Sequence, residues 1–264
     1  MRTPHAVSVV ALCALFAAGC SNDDGPTEPG LPAASVANFL PNHNTLRAKL
    51  QEIVAELNGG LGFDMWATIL DRNGRVVDVV FSGETRGDQW PGSRVISAQK
   101  ANTANAFSLE GFALSTANLF AAVQPGGSLF GLQESNPVDT DVAYAGPASA
   151  YGRHNDPMIG KRIGGINVFG GGLALYSPGG TLLGGLGVSG DTSCTDHIIA
   201  WKLRHSLNLD NVPAGPAAGT DNIIFTVETL DGFEHPICFD LEDRGEHQLI
   251  APELPTTHPV GPEE

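Results

Sequence analysis

Cations are scarce in this chain beside its acids. It carries 14 Lys and Arg against 29 Asp and Glu, a formal charge of −15 over 264 residues. Such a surface repels nucleic-acid phosphates and would not be held to anionic lipid by charge. Solubility is reason enough for it. Long apolar runs are scarce too. The stretch Ala6 to Ala18 has thirteen residues, short for a membrane span but suited to the core of an export signal. There is no internal repeat, and Asp191, Asp196 and Asp210 lack the D-x-D-x-D-G spacing of a calcium loop. Cysteine is rare, with four in all.

The N-terminus accounts for two of those cysteines. Arg2 precedes the apolar run, and Ala17-Ala18-Gly19-Cys20 resembles the end of a bacterial lipoprotein signal, small residues before a cysteine that is lipidated. Residues 1–19 are therefore expected to leave as a signal peptide, taking Cys13, with Cys20 as the lipidation site. Ordinary secretion with cleavage nearby is the alternative. Ser21 after the cysteine favours an exported protein anchored in the cell envelope at the outer membrane, by the same resemblance. Residues 20–41 are rich in Pro, Gly, Ser and acids and are expected to form a flexible linker. Residues 251–264 have similar composition and are expected to be a disordered tail. Loss of Arg2 brings the net charge to −16, and membrane attachment then comes through the lipid anchor alone. Cys194 and Cys238 remain. In an oxidising compartment they are expected to form a disulfide, worth at most roughly 4 kcal/mol in chain-entropy terms. Thiolate ligation of a metal is the alternative, but a single pair of cysteines is a poor site.

Residues 42–250 are long enough for one domain with a single core. "TLRAKLQEIVAEL" puts Leu46, Leu50, Ile53, Val54 and Leu57 on one helical face, stopped by Gly59-Gly60. "MWATIL" and "VVDVVF" are strands joined through Asn73-Gly74, a hairpin signal. Ser97 is a candidate cap for a helix running to about Phe107, with Ala101 and Ala104 on a face of small residues. A second short helix is predicted over 115–123. Residues 127–163 are irregular and long for a loop, which suggests a binding lid or pocket wall. "GGINVFGGGLALY" and "GTLLGGLGVSG" form another hairpin around Ser177-Pro178-Gly179-Gly180. A helix follows from 191 to about 207, capped by Asp191 or Thr192. "NIIFTVE" and "HPICFD" are predicted strands of a C-terminal extension. The sheet is mainly antiparallel and flanked by helices, an α/β fold of the α+β kind.

Gly185-x-Gly187-x-x-Gly190, with Asp210 twenty residues on, fits the dinucleotide-binding fingerprint. The context opposes it. The incoming strand belongs to a hairpin, "LNL" before Asp210 is too short for a buried central strand, and Asp191 would stand where a pyrophosphate belongs. Glycines facing a close neighbour explain the pattern better. A serine hydrolase centred on Ser189 fares little better, because Asp191 replaces the last glycine of G-x-S-x-G.

The order "ATILDRNGRVVDVVF", "SAQKANTANAF", "IGGINVFGGGLALY", "GTLLGGLGVSGD" and a closing amphipathic helix resembles the haem-binding domain family of GlcG-like proteins, secreted HbpS proteins and the PduO C-terminal domain, also catalogued as haem-degrading. The resemblance spans roughly residues 42–208. It implies a profilin-like shape, a possible homo-oligomer, and haem or a related tetrapyrrole as non-covalent ligand, for capture, storage or sensing. A cofactor-free interaction module and an enzyme that degrades or reduces the tetrapyrrole are the alternatives. No C-x-x-C-H occurs, so c-type attachment is excluded.

A haem site needs an apolar slot, an axial ligand and cations for the propionates. His154, beside Arg153 and Tyr151, is the leading axial and metal-ligand candidate, and His43 is second. Lys161 and Arg162 could meet propionates, and Lys100 could face the ligand or lie in solvent. His197 and His205 are expected on the helix surface and His235 at a strand edge. Trp66, Trp90 and Trp201 are expected in the core.

Overall fold

The computed structural model describes residues 39–226, 232–239 and 246–261, all within one unit spanning 33–264. The expected signal peptide, Cys20 and the linker up to residue 38 lie outside the described residues. Helix α1, His43–Val54, begins at Asn42, whose side chain accepts from the Thr45 amide, and buries Leu46, Leu50 and Ile53. Burying each such side chain stabilises by roughly 1.5–3 kcal/mol. The helix ends sooner than its apolar spacing predicts, and Leu57 is exposed.

Strands β1 (Trp66–Asp71) and β2 (Val76–Phe81) form the expected hairpin. Its turn is closed by the Gly74 amide donating to Asp71 O, with Gly74 at φ +73°. Helix α2, Ser93–Ala106, starts a turn earlier than expected. Ser97 is inside it rather than capping it, bonding Arg94 O and the Thr68 hydroxyl. Strands β3 (Gly172–Tyr176) and β4 (Leu182–Ser189) make the second hairpin, and α3 (Ser193–Ser206) follows, capped by Thr192. The sheet order is β2-β1-β4-β3, every neighbour antiparallel. The extension contributes a separate parallel pair of two-residue strands, β5 (Phe225–Thr226) and β6 (His235–Pro236).

The sheet has helices on both faces. Ala67, Ile69, Leu173, Leu186 and Val188 join the core made by α1 and α3. Trp66, Leu70, Val79 and Phe81 join Val95, Ala98 and Ala101 of α2 on the other. The fingerprint glycines are explained here. A Cβ on Gly185 would collide with the Ala101 carbonyl, and one on Gly187 with the Ser97 carbonyl. The backbone of α2 lies directly on β4, so the small helix face and the glycine strand are two halves of one contact. With β4 held between antiparallel neighbours, the dinucleotide fold is ruled out.

Two pieces depart from this frame. The predicted helix over 115–123 is a pair of single 3-10 turns, Ala117–Leu119 and Ala121–Val123. The 127–163 insertion contains one-turn helices at Leu132–Ser135 and Thr140–Ala143, and buries Ala143, Met158 and Ile163. The insertion covers the outer edge of β2, where Val76 N donates to Lys161 O and Gly160 N donates to Val76 O. The start of the extension covers β3 in the same way, with Tyr176 N donating to Leu209 O. The expected disordered tail is corrected in part. Residues 251–257 belong to helix α4, Glu246–Thr257, which buries Ala251 and Leu254 in the α1/α3 core despite Pro252 and Pro255.

Candidate functional site

The turn from β4 into α3 is built from carboxylates. Asp191 accepts from the amides of Leu61, Phe63 and Thr192. Asp196, one turn into α3, reaches back to accept from Gly190 N and Asp191 N, each at 3.0 Å. The amides that a phosphate would need are already satisfied by the chain's own acids.

Asp196 also receives Lys100 Nζ at 2.6 Å, and Lys100 donates to Val188 O at 3.1 Å. Both side chains are buried, between α2, β4 and α3. The ammonium lies 5.0 Å from the centre of the Phe169 ring. Burial pushes the Asp196 carboxyl up to about 6 and the Lys100 ammonium down, while their mutual attraction opposes both shifts. Lys100 therefore faces Asp196 in the interior, neither solvent nor an open slot.

The next residue, His197, is fully buried rather than on the helix surface. Its Nε2 is 3.1 Å from Asn222 Oδ1, and Nδ1 has no hydrogen-bond partner among the described residues. The Ile223 amide lies 3.1 Å from the same Nε2 and 2.8 Å from Asn222 Oδ1; a neutral ring donating from Nε2 to Asn222, with the amide donating to Asn222 Oδ1, leaves the smaller deficit, one unused lone pair on Nδ1. Burial pushes its pKa down to about 3. His205 is half-buried and bonded to Asp210 at 2.7 Å. His235 is buried in β6 under the Phe120 ring, with burial pushing its pKa down to about 4. It lies 3.2 Å from Ser193 Oγ, beside the Cys194–Cys238 disulfide, which forms as the cysteine count predicts.

Buried ion pairs fasten the two added pieces. Arg94 of α2 grips Asp156 through two guanidinium nitrogens, donates to Ala143 O and stacks 3.7 Å from the centre of the Tyr151 ring, holding the insertion. Arg204 of α3 donates to both oxygens of Asp221, at 2.7 and 2.8 Å, holding the extension.

The residues singled out from sequence are not gathered in one place. His154 is exposed on the insertion, two residues after Gly152, which packs on Phe81 and Trp66. Lys161 and Arg162 are also exposed, but they sit at the far end of β2. Lys161 O meets Val76 N there, and Arg162 Nε donates to Asn73 O. The length of β2 between them is about 17 Å at the usual rise per residue. His43 is bonded to Asp78 at 2.7 Å. Trp66 and Trp201 are in the core as expected, whereas Trp90 is 61% exposed.

That last departure defines a second candidate surface. Trp90 stands beside Phe63, 6.0 Å between ring centres, and its carbonyl accepts from Trp66 Nε1. Phe81, buried edge-on to Trp66, is flanked by Arg47 at 4.8 Å and Arg153 at 5.6 Å. The donor types fit haem: an exposed imidazole at His154, guanidinium groups, and the exposed rings of Trp90 and Phe63. Trp90 and Arg47 were missed because a lone tryptophan in a loop and an arginine on α1 carry no spacing signal.

A family model described as haem degrading protein HbpS-like matches residues 42–203. No curated protein matches the chain. Among solved structures the chain is similar to protein ORFY of Klebsiella pneumoniae, at 22% identity over 71% of this chain and 97% of that one, TM-score 0.45. It is similar to the PduOC–haem complex at 25% identity over 64% and 96%, TM-score 0.44. A double mutant of HbpS from Streptomyces reticuli is 15% identical over 77% and 99%, TM-score 0.43.

Proposed function

The chain belongs to the family of HbpS-like haem-degrading proteins, and we propose from that premise that it binds haem or a related tetrapyrrole non-covalently, for capture, storage or sensing. The observation that carries this is the family match over residues 42–203, which runs from α1 into α3 and takes in both hairpins. His154 would supply the axial imidazole. Arg153 and Arg47 would meet the propionates, and the exposed rings of Trp90 and Phe63 would offer apolar faces. Bound haem would supply an iron centre whose reactivity depends on that axial ligand and on solvent access. Lys100 and Asp196 act as structural residues, holding α2 and α3 against β4. The profilin-like description of the fold and a possible homo-oligomer belong to the same reading.

Titration of the full chain with haemin tests the proposal. A Soret shift that saturates at one equivalent is expected, and a flat titration rejects haem binding in favour of a cofactor-free module. His154→Ala is expected to change the spectrum; an unchanged one rejects that ligand. Conversion of the bound haem to a defined product with reductant or peroxide would assign an enzyme. We further propose that the protein is exported and lipid-anchored through Cys20 at the outer membrane, on the strength of Ala17-Ala18-Gly19-Cys20 and Ser21. Fatty-acid labelling that survives Cys20→Ala would reject the anchor.

A further inference from the structure

We propose that reduction of the Cys194–Cys238 disulfide creates a metal site for Zn²⁺ or a cation of similar ligand preference, with Cys194 Sγ, Cys238 Sγ and His235 Nε2 as ligands. The pair of cysteines is a poor site alone; the fold adds the third donor. A ring nitrogen of His235 and the two sulfurs lie within 4.8 Å of one another. Cys194 is in the first turn of α3, while His235 and Cys238 arrive on the extension beyond residue 203, outside the family match. The proposal is therefore independent of the haem reading.

Four details favour a metal over a plain cross-link. The His235 Nδ1 is 2.7 Å from Pro236 O, and a carbonyl only accepts, so Nδ1 carries the proton. The lone pair is then on Nε2, which faces Ser193 Oγ beside Cys238 Sγ. A metal-ligating histidine is commonly fixed by such an outer hydrogen bond. The Phe120 ring, 4.9 Å away between centres, holds the imidazole plane. Ser193 Oγ lies 3.2 Å from Nε2 and 3.5 Å from Cys238 Sγ, so an oxygen already stands where a fourth ligand or a bound water belongs. Lastly, the Cys194 amide donates to Cys238 Sγ at 3.2 Å from the N-terminal turn of α3, a setting that favours thiolate.

The step balances with a dithiol as reductant. One of its thiolates attacks the sulfur of Cys238, the less buried of the two cysteines, and the S–S bond breaks with Cys194 leaving as thiolate. The second thiol of the reductant resolves the mixed disulfide and releases Cys238. Two electrons and two protons pass to the cysteines, and the dithiol becomes a disulfide. Zn²⁺ then displaces the two thiol protons without changing oxidation state. Its tetrahedral geometry sets the sulfurs about 3.8 Å apart, given Zn–S bonds near 2.3 Å, so the extension carrying Cys238 must yield slightly. Oxidation reverses the sequence and expels the metal. Either way α3 stays tied to the extension.

The test compares the full chain oxidised and reduced with a phosphine, using Zn²⁺ alone against a chromogenic chelator and Co²⁺ as spectroscopic probe. One Zn²⁺ per reduced chain is expected, with a thiolate-to-cobalt charge-transfer band. The oxidised chain is expected to show neither. His235→Gln is expected to weaken Zn²⁺ binding at least about tenfold, and Cys194→Ser with Cys238→Ser to abolish it. Metal-edge absorption of the reduced wild type is expected to show two sulfurs and at least one nitrogen, a readout independent of any variant's folding. The proposal is overturned if the reduced chain binds no more tightly than the double serine variant. It is also overturned if nitrogen is absent from the metal shell. Unfolding of the reduced chain that Zn²⁺ does not reverse overturns it as well.

Discussion

Replacing Lys100 with methionine is expected to strand Asp196, with its carboxylate still fully buried and only two amides left to satisfy it. In the native protein burial already lifts the Asp196 pKa from 3.8 to about 6 against the pull of Lys100. Without that pull it rises further, with only the two amide donors opposing burial. The folded pKa is thus raised above the unfolded one, so the carboxyl's contribution is fully present below pH 3.8 and is lost as pH climbs through the folded pKa. The cost of the substitution should therefore grow as pH rises above 6, by about 1.4 kcal/mol for each unit that the folded pKa moves beyond its native value. It should approach the roughly 3–5 kcal/mol typical of a broken buried pair. Asp196→Asn should slope the other way. It leaves a buried ammonium whose pKa is already pushed below 10.5, so its cost should grow as pH falls below 10. Replacing both with apolar residues of similar volume should cost less than either single change. Urea unfolding across pH, followed by the buried Trp66 and Trp201, measures all three. Single variants with flat or equal pH slopes, or a double variant that sums the two losses, would refute the reasoning.

Gly187→Val is expected to cost at least about 1–3 kcal/mol, because the new side chain meets the Ser97 carbonyl, which cannot move without shifting α2; a melting temperature within a degree of wild type would contradict the helix-on-strand contact. Acid should destabilise the protein through His197, whose folded pKa is held near 3 against 6.5 unfolded. Its contribution is complete above pH 6.5 and is lost on acidification toward pH 3, by up to about 5 kcal/mol. His197→Asn should flatten that part of the stability–pH curve, and an unaltered slope would show that the ring is protonated in the folded state.

The parts of this fold that were legible in the sequence are those with local causes. Asn73-Gly74 announces its turn, the spacing of Leu46, Leu50 and Ile53 announces a helix face, and Thr192 announces a cap. The glycines of β4 were legible as a close approach, though not as an approach by α2. What escaped is polarity compensated at long range. His197 was expected on the surface because a histidine is usually solvated, and nothing nearby in sequence reveals Asn222. Arg94 and Asp156 are 62 residues apart, and Arg204 reaches Asp221 across a Pro- and Gly-rich turn. Without those pairings, the insertion reads as a long irregular lid and the extension as two strands with no indication of what fastens either to the domain. Pro252 and Pro255 hid α4, since proline disfavours a helix interior and the burial of Leu254 that outweighs it is a tertiary effect. The site residues suffered similarly. Lys100 could be placed on its helix but not paired, and the third donor beside the cysteines appears when β6 returns to α3.

Both borders of the main sheet are upholstered by segments that a minimal version of the protein would discard. Cutting the chain down to the stretch its relatives share would strip Leu209 from β3, and deleting the insertion would bare β2. Raw backbone of that kind recruits further strands. A shortened protein should therefore clump where the whole one stays dispersed, and what looks ornamental in the sequence is its protection against its own sheet.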